Sequence, residues 1–433
     1  MPFSTTSLSW PRAIALSAGL SLAWPLVAEA AVSYYKWTAV TLPASSGATC
    51  GNGTPARIFV NRTPLTTKTL VYFEGGGACW DQLSCQGKGK LTEVASNPDG
   101  VPENYFSQVN LAMFGMATPL ITRLPLLGKI YTQSWNLVYV PYCTGDVHTG
   151  NAVQTYADAD PANPTVYYHH GFLNAKAVGT WMAANLPRPA QLLVSGSSAG
   201  GVGSTANYGF LREALNPVKS ALVADSGPLF PAPKDGSPSQ YPSVPLQNKV
   251  RSIWGVDRSD GIASELIARY PEAGSVDDLS TLNTGLPQAF PQDRFGYMSF
   301  QEDGIFSAFS YTKFYPEIAA LSGAAKDAAL NVLWRKDLNN WVSQLRTAST
   351  NTGFYLPVWR PFLKSHTLVT MDFTGTGIEE RNIASVVDFY NNVIDTSQPV
   401  MREIEYDQQG DHQRIFSVNP LQWLVALFEG FFL

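Results

Sequence analysis

Four short runs of apolar residues constrain this chain more than any other feature. Thr69-Leu70-Val71-Tyr72-Phe73, Asn136-Leu137-Val138-Tyr139-Val140, Leu192-Leu193-Val194 and Ala221-Leu222-Val223-Ala224 have strand length and lack the apolar–polar alternation of a half-buried strand. A strand that is apolar throughout must be covered on both faces, the condition of a mostly parallel sheet with helices above and below. Helical patterns separate and follow these runs. Residues 173–186 have helical spacing with Ala177, Trp181 and Ala184 on one face, and 201–215, 262–270, 318–345 and 382–394 read as further helices. Residues 294–300 read as a late strand. Glycine and polar residues follow the strands, as in Glu74-Gly75-Gly76-Gly77, Pro141-Tyr142-Cys143 and Asp225-Ser226-Gly227. Open α/β sheets bind ligands at that carboxyl edge. Two proline-rich stretches, 230–244 and 275–293, read as long loops or small cap insertions. With no internal repeat or heptad run, residues 31–433 are expected to form a single α/β domain with insertions.

The chain opens with a lone positive charge at Arg12, an apolar stretch over 13–27 and the small-residue site Ala28-Glu29-Ala30. This is the pattern of a secretory signal cleaved after Ala30. The apolar stretch, about fifteen residues and broken by Pro25, is short of the roughly 20 that a membrane span needs. The apolar C-terminus is interrupted by Glu429 and reads as a docked terminal segment, so stable membrane insertion is not expected. Hydrophobic residues make up 45% of the chain, enough for a large core, and 29 Lys+Arg stand against 34 Asp+Glu. That balance offers no basic field for a phosphate backbone, which excludes nucleic acid as the expected partner. The expected location is extracellular or periplasmic, where Cys50, Cys79, Cys85 and Cys143 would form two disulfides. Sequence alone does not choose among the three pairings. No C-x-x-C and no histidine at ligand spacing suggests zinc, and no metal or cofactor is expected.

The chemistry centres on Gly196-Ser197-Ser198-Ala199-Gly200, between an expected strand and an expected helix. A G-x-S-x-G in that position is a nucleophile elbow, its glycines required because the serine sits on a sharp turn. Ser198 holds the central position; Ser195 and Ser197 do not. The backbone N–H of Ala199 and donors from the glycine-rich turn at Glu74-Gly75-Gly76-Gly77-Ala78-Cys79-Trp80 would make an oxyanion hole. The histidines are His148, His169, His170, His366 and His412. Triad order on such a fold, serine then acid then histidine, leaves His366 and His412. His366 stands just before a β-like run, whereas His412 lies in a polar, acidic loop. For the acid, Asp303, Glu302 and Asp225 compete, and Asp225 could instead brace the elbow. Asp146 and His148 are expected to order a loop beside the pocket, and Asp158 and Asp160 to belong to a solvated turn.

Five motifs carry a family resemblance: Thr49-Cys50-Gly51-Asn52-Gly53-Thr54-Pro55, Phe73-Glu74-Gly75-Gly76-Gly77-Ala78-Cys79-Trp80-Asp81, Pro141-Tyr142-Cys143-Thr144-Gly145-Asp146, Gly196-Ser197-Ser198-Ala199-Gly200-Gly201 and Asp225-Ser226-Gly227. From about Trp37 to Asp225 the chain resembles the pectin acetylesterase family of Notum-like serine hydrolases; beyond that the resemblance is patchy. It implies an α/β-hydrolase-like fold, a metal-free Ser-Asp-His triad, and hole donors at Gly76 and Gly77 with Ala199. It favours His366, where the family has a short Ser-His, and Asp303, which follows a comparable strand. It also implies the pairings Cys79–Cys85 and Cys50–Cys143. The implied substrate is an O-acetyl ester on a polysaccharide such as pectin. A longer acyl chain, or a polyester such as a polyhydroxyalkanoate, is the alternative with the same chemistry. The alternative of another class is a catalytically dead, secreted carbohydrate-binding protein.

Overall fold

Three central strands, 69–73, 192–197 and 220–225, end where the sequence turns to glycine and polar residues. The computed structural model describes residues 1–4, 33–88, 94–107, 118, 120–123, 130–360, 364–369, 373 and 375–406. The chain divides into Met1–Val32 and Ser33–Leu433, and all the elements lie in the second unit. The strands are β1 (Trp37–Thr41), β2 (Arg57–Asn61), β3 (Thr69–Phe73), β4 (Asn136–Val140), β5 (Ala152–Tyr156), β6 (Thr165–His169), β7 (Leu192–Ser197), β8 (Ser220–Asp225), β9 (Arg294–Met298), β10 (Thr352–Leu356) and β11 (Arg402–Ile404). The longer helices are α1 (Gly171–Asn185), α2 (Ala199–Leu215), α3 (Val244–Trp254), α4 (Ile262–Arg269), α5 (Leu282–Ala289), α6 (Gly304–Tyr311), α7 (Gly323–Thr347) and α8 (Val386–Ile394).

Among the described residues the main sheet has nine strands in the order β1-β2-β4-β3-β7-β8-β9-β10-β11. It is parallel from β4 to β11, and β1 and β2 add an antiparallel edge. A separate hairpin pairs β5 with β6. The alternation of side chains along a strand explains the apolar runs. Val71, Phe73, Val138, Leu192, Val194 and Leu222 pack into the cluster with α1 and α2. Their neighbours Leu70, Tyr72, Leu137, Leu193 and Val223 pack on the other face, with Phe389, Tyr390 and Val393 of α8. The fold is thus α/β and mostly parallel, with helices on both faces.

Several boundaries differ from the sequence reading. The helix expected over 318–345 starts at Gly323, because Ser322 takes an extended N-cap conformation and Gly323 a positive φ of 54°. The helix expected from 382 starts at Val386, where Ser385 Oγ accepts from Val387 N. The stretch 275–293, read as a long loop or a small cap insertion, contains α5, in which buried Leu282 and Leu286 outweigh Pro287. The helix α3 directly follows the 230–243 loop. On α1 the buried face runs through Phe172, Ala175, Val178 and Met182, and Ala184 is exposed. Among the described residues no strand directly follows His366: Leu368 and Val369 give their N–H groups to a side chain, not to a neighbouring strand. His412 and the apolar C-terminus lie outside the described residues.

Candidate active site

Ser198 is the single residue between β7 and α2, with φ 56° and ψ −121°. That conformation is sparsely populated for a residue with a Cβ and raises the side chain off the sheet. The flanking glycines are sterically required: a Cβ on Gly200 would meet Phe73 O at 2.0 Å, and one on Gly196 would meet Gly200 O at 2.3 Å. The neighbouring serines are engaged below the edge. Ser197 Oγ lies 3.0 Å from Tyr72 Oη, and Ser195 Oγ donates to Val223 O at 2.7 Å. Among the described residues the Ser198 hydroxyl has no hydrogen-bond partner. Catalytic contacts of this kind are commonly loose without substrate and tighten with it.

The turn after β3 passes beside this serine, so close that a Cβ on Gly75 would lie 3.1 Å from Ser198 Cβ. Gly76 and Gly77 both have positive φ, 147° and 67°. Gly76 O accepts from Ser96 N at 3.0 Å. A trans peptide points its N–H opposite to its C=O, so that bond aims Gly77 N–H away from Ser96. The N–H groups of Gly76, Gly77 and Ala199 donate to nothing among the described residues. Unpaired backbone donors beside a raised serine are what an oxyanion hole is made of.

His366 and Asp303 stand together, His366 Nδ1 lying 2.7 Å from Asp303 Oδ2. The carboxylate can only accept, so the imidazole proton sits on Nδ1 and Nε2 is left as the free acceptor. Asp303 is also the N-cap of α6, its Oδ1 accepting from Ile305 N at 3.0 Å and Phe306 N at 2.8 Å. The helix end therefore fixes the carboxylate's orientation. Burial disfavours the imidazolium of His366, but the Asp303 carboxylate, helped by Asp225, outweighs it and raises the pKa above the ordinary value. Of the three rival acids, Asp303 alone bonds His366. Glu302 pairs with Arg335 at 2.7 Å.

Asp225 joins the two halves. Its backbone oxygen accepts from Ser198 N at 2.9 Å. Its carboxylate accepts from Leu368 N at 2.9 Å, Val369 N at 3.1 Å and Ser226 Oγ at 2.9 Å. One residue thus anchors both the elbow and the histidine loop. Burial pushes its carboxyl up to about 6, against the pull of those bonds. The loop needs such an anchor: Lys364, Ser365 and Thr367 all have positive φ. The sequence reading weighed Asp225 as a rival acid or as a brace for the elbow; it did not foresee its tie to the histidine loop, nor the buried ion pair of Arg360 with Glu405 at 3.0 Å.

An apolar cavity of about 50 Å³ lies nearby, lined by Val202, Ala206, Leu229, Phe230, Phe306 and Phe309 among others. Val202 lies one turn after Ser198, and the Phe306 ring centroid is 6.3 Å from that of His366. Nothing in the sequence reading located it, since its walls come from α2 to α6, the segment after β8 and the loop at 147–149.

The cysteines form the bridges Cys50–Cys143 and Cys79–Cys85. The shorter one follows the glycine turn, where Cys79 N donates to Gly145 O at 2.8 Å. Among the described residues, one group has metal-ligand proximity: Cys79, Cys85 and His169, with atoms within 4.8 Å of one another. Its sulfurs are bonded to each other, and His169 Nε2 lies 2.8 Å from Tyr156 Oη. That chemistry is a disulfide packed on a buried histidine. Asp160 makes an ordinary turn bond, accepting from Ala162 N at 3.2 Å, whereas Asp158 reaches across to accept from Gln82 N at 3.0 Å.

The model of the pectinacetylesterase family matches residues 28–245, which include Ser198, the glycine turn and all the cysteines. The palmitoleoyl-protein carboxylesterase notum1a of Danio rerio is 25% identical over 172 residues, 40% of this chain and 31% of that protein. The palmitoleoyl-protein carboxylesterase NOTUM of Drosophila melanogaster is 25% identical over 218 residues, 49% of this chain and 30% of that protein. The chain thus spans about a third of the length of these curated relatives. The crystal structure of the Wnt deacylase Notum from Drosophila superposes with a TM-score of 0.56 at 17% identity, covering 88% of this chain and 100% of that one. The likeness is one of fold, an α/β-hydrolase-like one, and it extends into the half that contains Asp303 and His366.

Proposed function

The chain belongs to the pectinacetylesterase family, and from that premise we propose that it is a secreted serine carboxylic-ester hydrolase working through an acyl-enzyme. The observation that carries the reading is the 2.7 Å His366–Asp303 pair on a loop tied to the residue that anchors Ser198. Ser198 Oγ attacks the ester carbonyl while His366 Nε2 takes its proton, and Asp303 stabilises the imidazolium. The oxyanion faces the N–H groups of Gly76, Gly77 and Ala199, each such donor worth about 3–4 kcal/mol in the transition state. Collapse expels the alcohol, which takes the proton from His366. Water then repeats the sequence and releases the carboxylic acid. Net, one ester and one water give one acid and one alcohol.

Secretion rests on the segment from Arg12 to Ala30 and fits two disulfides; among the described residues no helix is long and apolar enough to cross a membrane. The family name favours an O-acetyl group on a polysaccharide such as pectin as substrate. A second reading, a longer apolar acyl group, is favoured by the apolar lining of the nearby cavity, to which Val202, one turn after Ser198, and Phe306, next to His366, both contribute. The names of the relatives, palmitoleoyl-protein carboxylesterases, point the same way. The test is a panel of p-nitrophenyl esters from acetate to palmitate, run beside acetate release from acetylated pectin, with Ser198→Ala as control. Hydrolysis that Ser198→Ala abolishes supports the enzyme, and the chain-length profile chooses the acyl class. No turnover on any ester would favour a catalytically dead binding scaffold.

A further inference from the structure

Resting on that reading, we propose that His148 is a positioning residue for the oxyanion turn: its Nε2–H holds the Glu74 carbonyl, and the buried Asp146 loop exists to present it. Glu74, Gly75, Gly76 and Gly77 must deliver donors at fixed places, yet consecutive glycines are the most mobile backbone there is. The turn therefore needs an anchor at each end. Ser96 N on Gly76 O is the far one. At the near end His148 Nε2 lies 2.8 Å from Glu74 O. A carbonyl oxygen only accepts, so His148 carries its proton on Nε2, and the Glu74–Gly75 peptide plane is set by that bond.

The backbone that brings His148 there is strained. Val147 and His148 have consecutive positive φ values of 49° and 61°, an outlying conformation for a β-branched residue. Strain of this kind persists only where the surroundings over-determine it, and it gathers at functional positions. Here the fully buried Asp146 carboxylate accepts from Thr144 Oγ1 at 2.6 Å, His148 N at 3.1 Å, Gly150 N at 3.1 Å and Gly171 N at 2.7 Å. Tyr142 Oη accepts from Val147 N at 2.7 Å. The imidazole packs edge-on to Phe73, the last residue of β3, with centroids 5.0 Å apart. On the other side Asn207 Nδ2, on the nucleophile's helix α2, donates to His148 O at 2.8 Å. His148 thus ties α2 to the turn that faces it. Burial holds its imidazole down to about 4, so it stays a neutral donor across the working range.

His148→Phe keeps the ring packing and removes the N–H; His148→Gln restores a donor near the Nε2 position. With rates normalised to titrated active sites, His148→Phe should lose roughly 10- to 100-fold in kcat with KM within about twofold, less than the full loss of a hole donor. Affinity for a trifluoromethyl ketone, which forms a tetrahedral oxyanion on Ser198, should fall by the same factor. His148→Gln should recover most of both. A role in packing alone would instead lower Tm in both variants and leave kcat per titrated site unchanged, which overturns the proposal. A second measurement does not depend on any variant folding. The 15N-histidine spectrum of the wild-type protein should show His148 as the neutral Nε2–H tautomer from pH 5 to 9. An Nδ1–H tautomer, or protonation near pH 7, overturns it. An inactive wild type would refute the esterase reading; an active wild type with an unaffected His148→Phe refutes this inference alone.

Discussion

The replacement Asp303→Asn separates the acid's two bonds. Asp303 Oδ1 caps α6 through Ile305 N at 3.0 Å and Phe306 N at 2.8 Å, while Oδ2 takes the His366 Nδ1 proton at 2.7 Å. An asparagine has one acceptor oxygen and one NH₂ donor group. Asn is as good an N-cap as Asp, so the two helix N–H groups claim the oxygen. The NH₂ group is then turned toward His366, which must accept at Nδ1 and carry its proton on Nε2. In that tautomer it cannot take the proton of Ser198. The cap survives and one buried bond is exchanged for another, so stability should change by about 1 kcal/mol, only a few degrees in Tm. Turnover should fall by up to about 10⁴, equivalent to about 5.4 kcal/mol of transition-state stabilisation. The pH dependence adds a second signature. In the wild type the Asp303 carboxylate keeps the His366 pKa above the ordinary value, so activity should rise with pH through a limb above about 6.5. In Asp303→Asn burial dominates, and the limb of the residual activity should move down. Steady-state kinetics on a p-nitrophenyl ester from pH 5 to 9, with Tm by differential scanning fluorimetry, reads both. A folded Asp303→Asn that keeps most of its turnover, with the limb unmoved, refutes the argument.

Ser198→Gly should abolish activity yet raise stability by about 1 kcal/mol, because glycine adopts this φ without strain and the serine side chain makes no capping bond; thermal melts check it. Asp225→Asn should lower both Tm and activity, since its NH₂ group would oppose the N–H groups of Leu368 and Val369. Its pH dependence has a definite sign: the folded pKa of Asp225 is raised to about 6, so this group's contribution is fully present below about pH 4 and is lost as pH rises to 6. The wild type's advantage over Asp225→Asn in urea melts should therefore shrink across that window, by up to about 3 kcal/mol. The disulfides should behave oppositely. Opening Cys50–Cys143, with a separation of 93 residues, should cost about 4.6 kcal/mol of stability and little kcat; opening Cys79–Cys85, with a separation of 6, should cost about 2 kcal/mol and more of kcat. Cys→Ser pairs, assayed for kcat and Tm, check both.

The sheet was legible because its strands are buried on both faces, which leaves an uninterrupted apolar run where a half-buried strand would alternate. The elbow was legible because the strand–turn–helix crossing of β7 and α2 admits only small residues at 196 and 200. Features made by contacts distant in sequence were not. Leu368-Val369 has strand composition, yet its N–H groups are taken by Asp225, more than 140 residues earlier, and no local pattern records that. The α5 helix was hidden by Pro287, whose penalty is met by the burial of Leu282 and Leu286. Asp303 and His366 lie 63 residues apart, so motif order could rank them and only the fold could bring them into contact. The cavity was invisible because five helices each contribute only one part of its wall.

The central claim is an acyl-enzyme on Ser198. It is tested most directly by quenching the protein in acid during turnover of a p-nitrophenyl ester and sequencing its peptides by mass spectrometry. The account predicts one acyl group per chain, on the peptide containing Ser198, absent from Ser198→Ala and strongly reduced in His366→Ala. An acyl group on another residue, or ester hydrolysis that persists in Ser198→Ala, would contradict it.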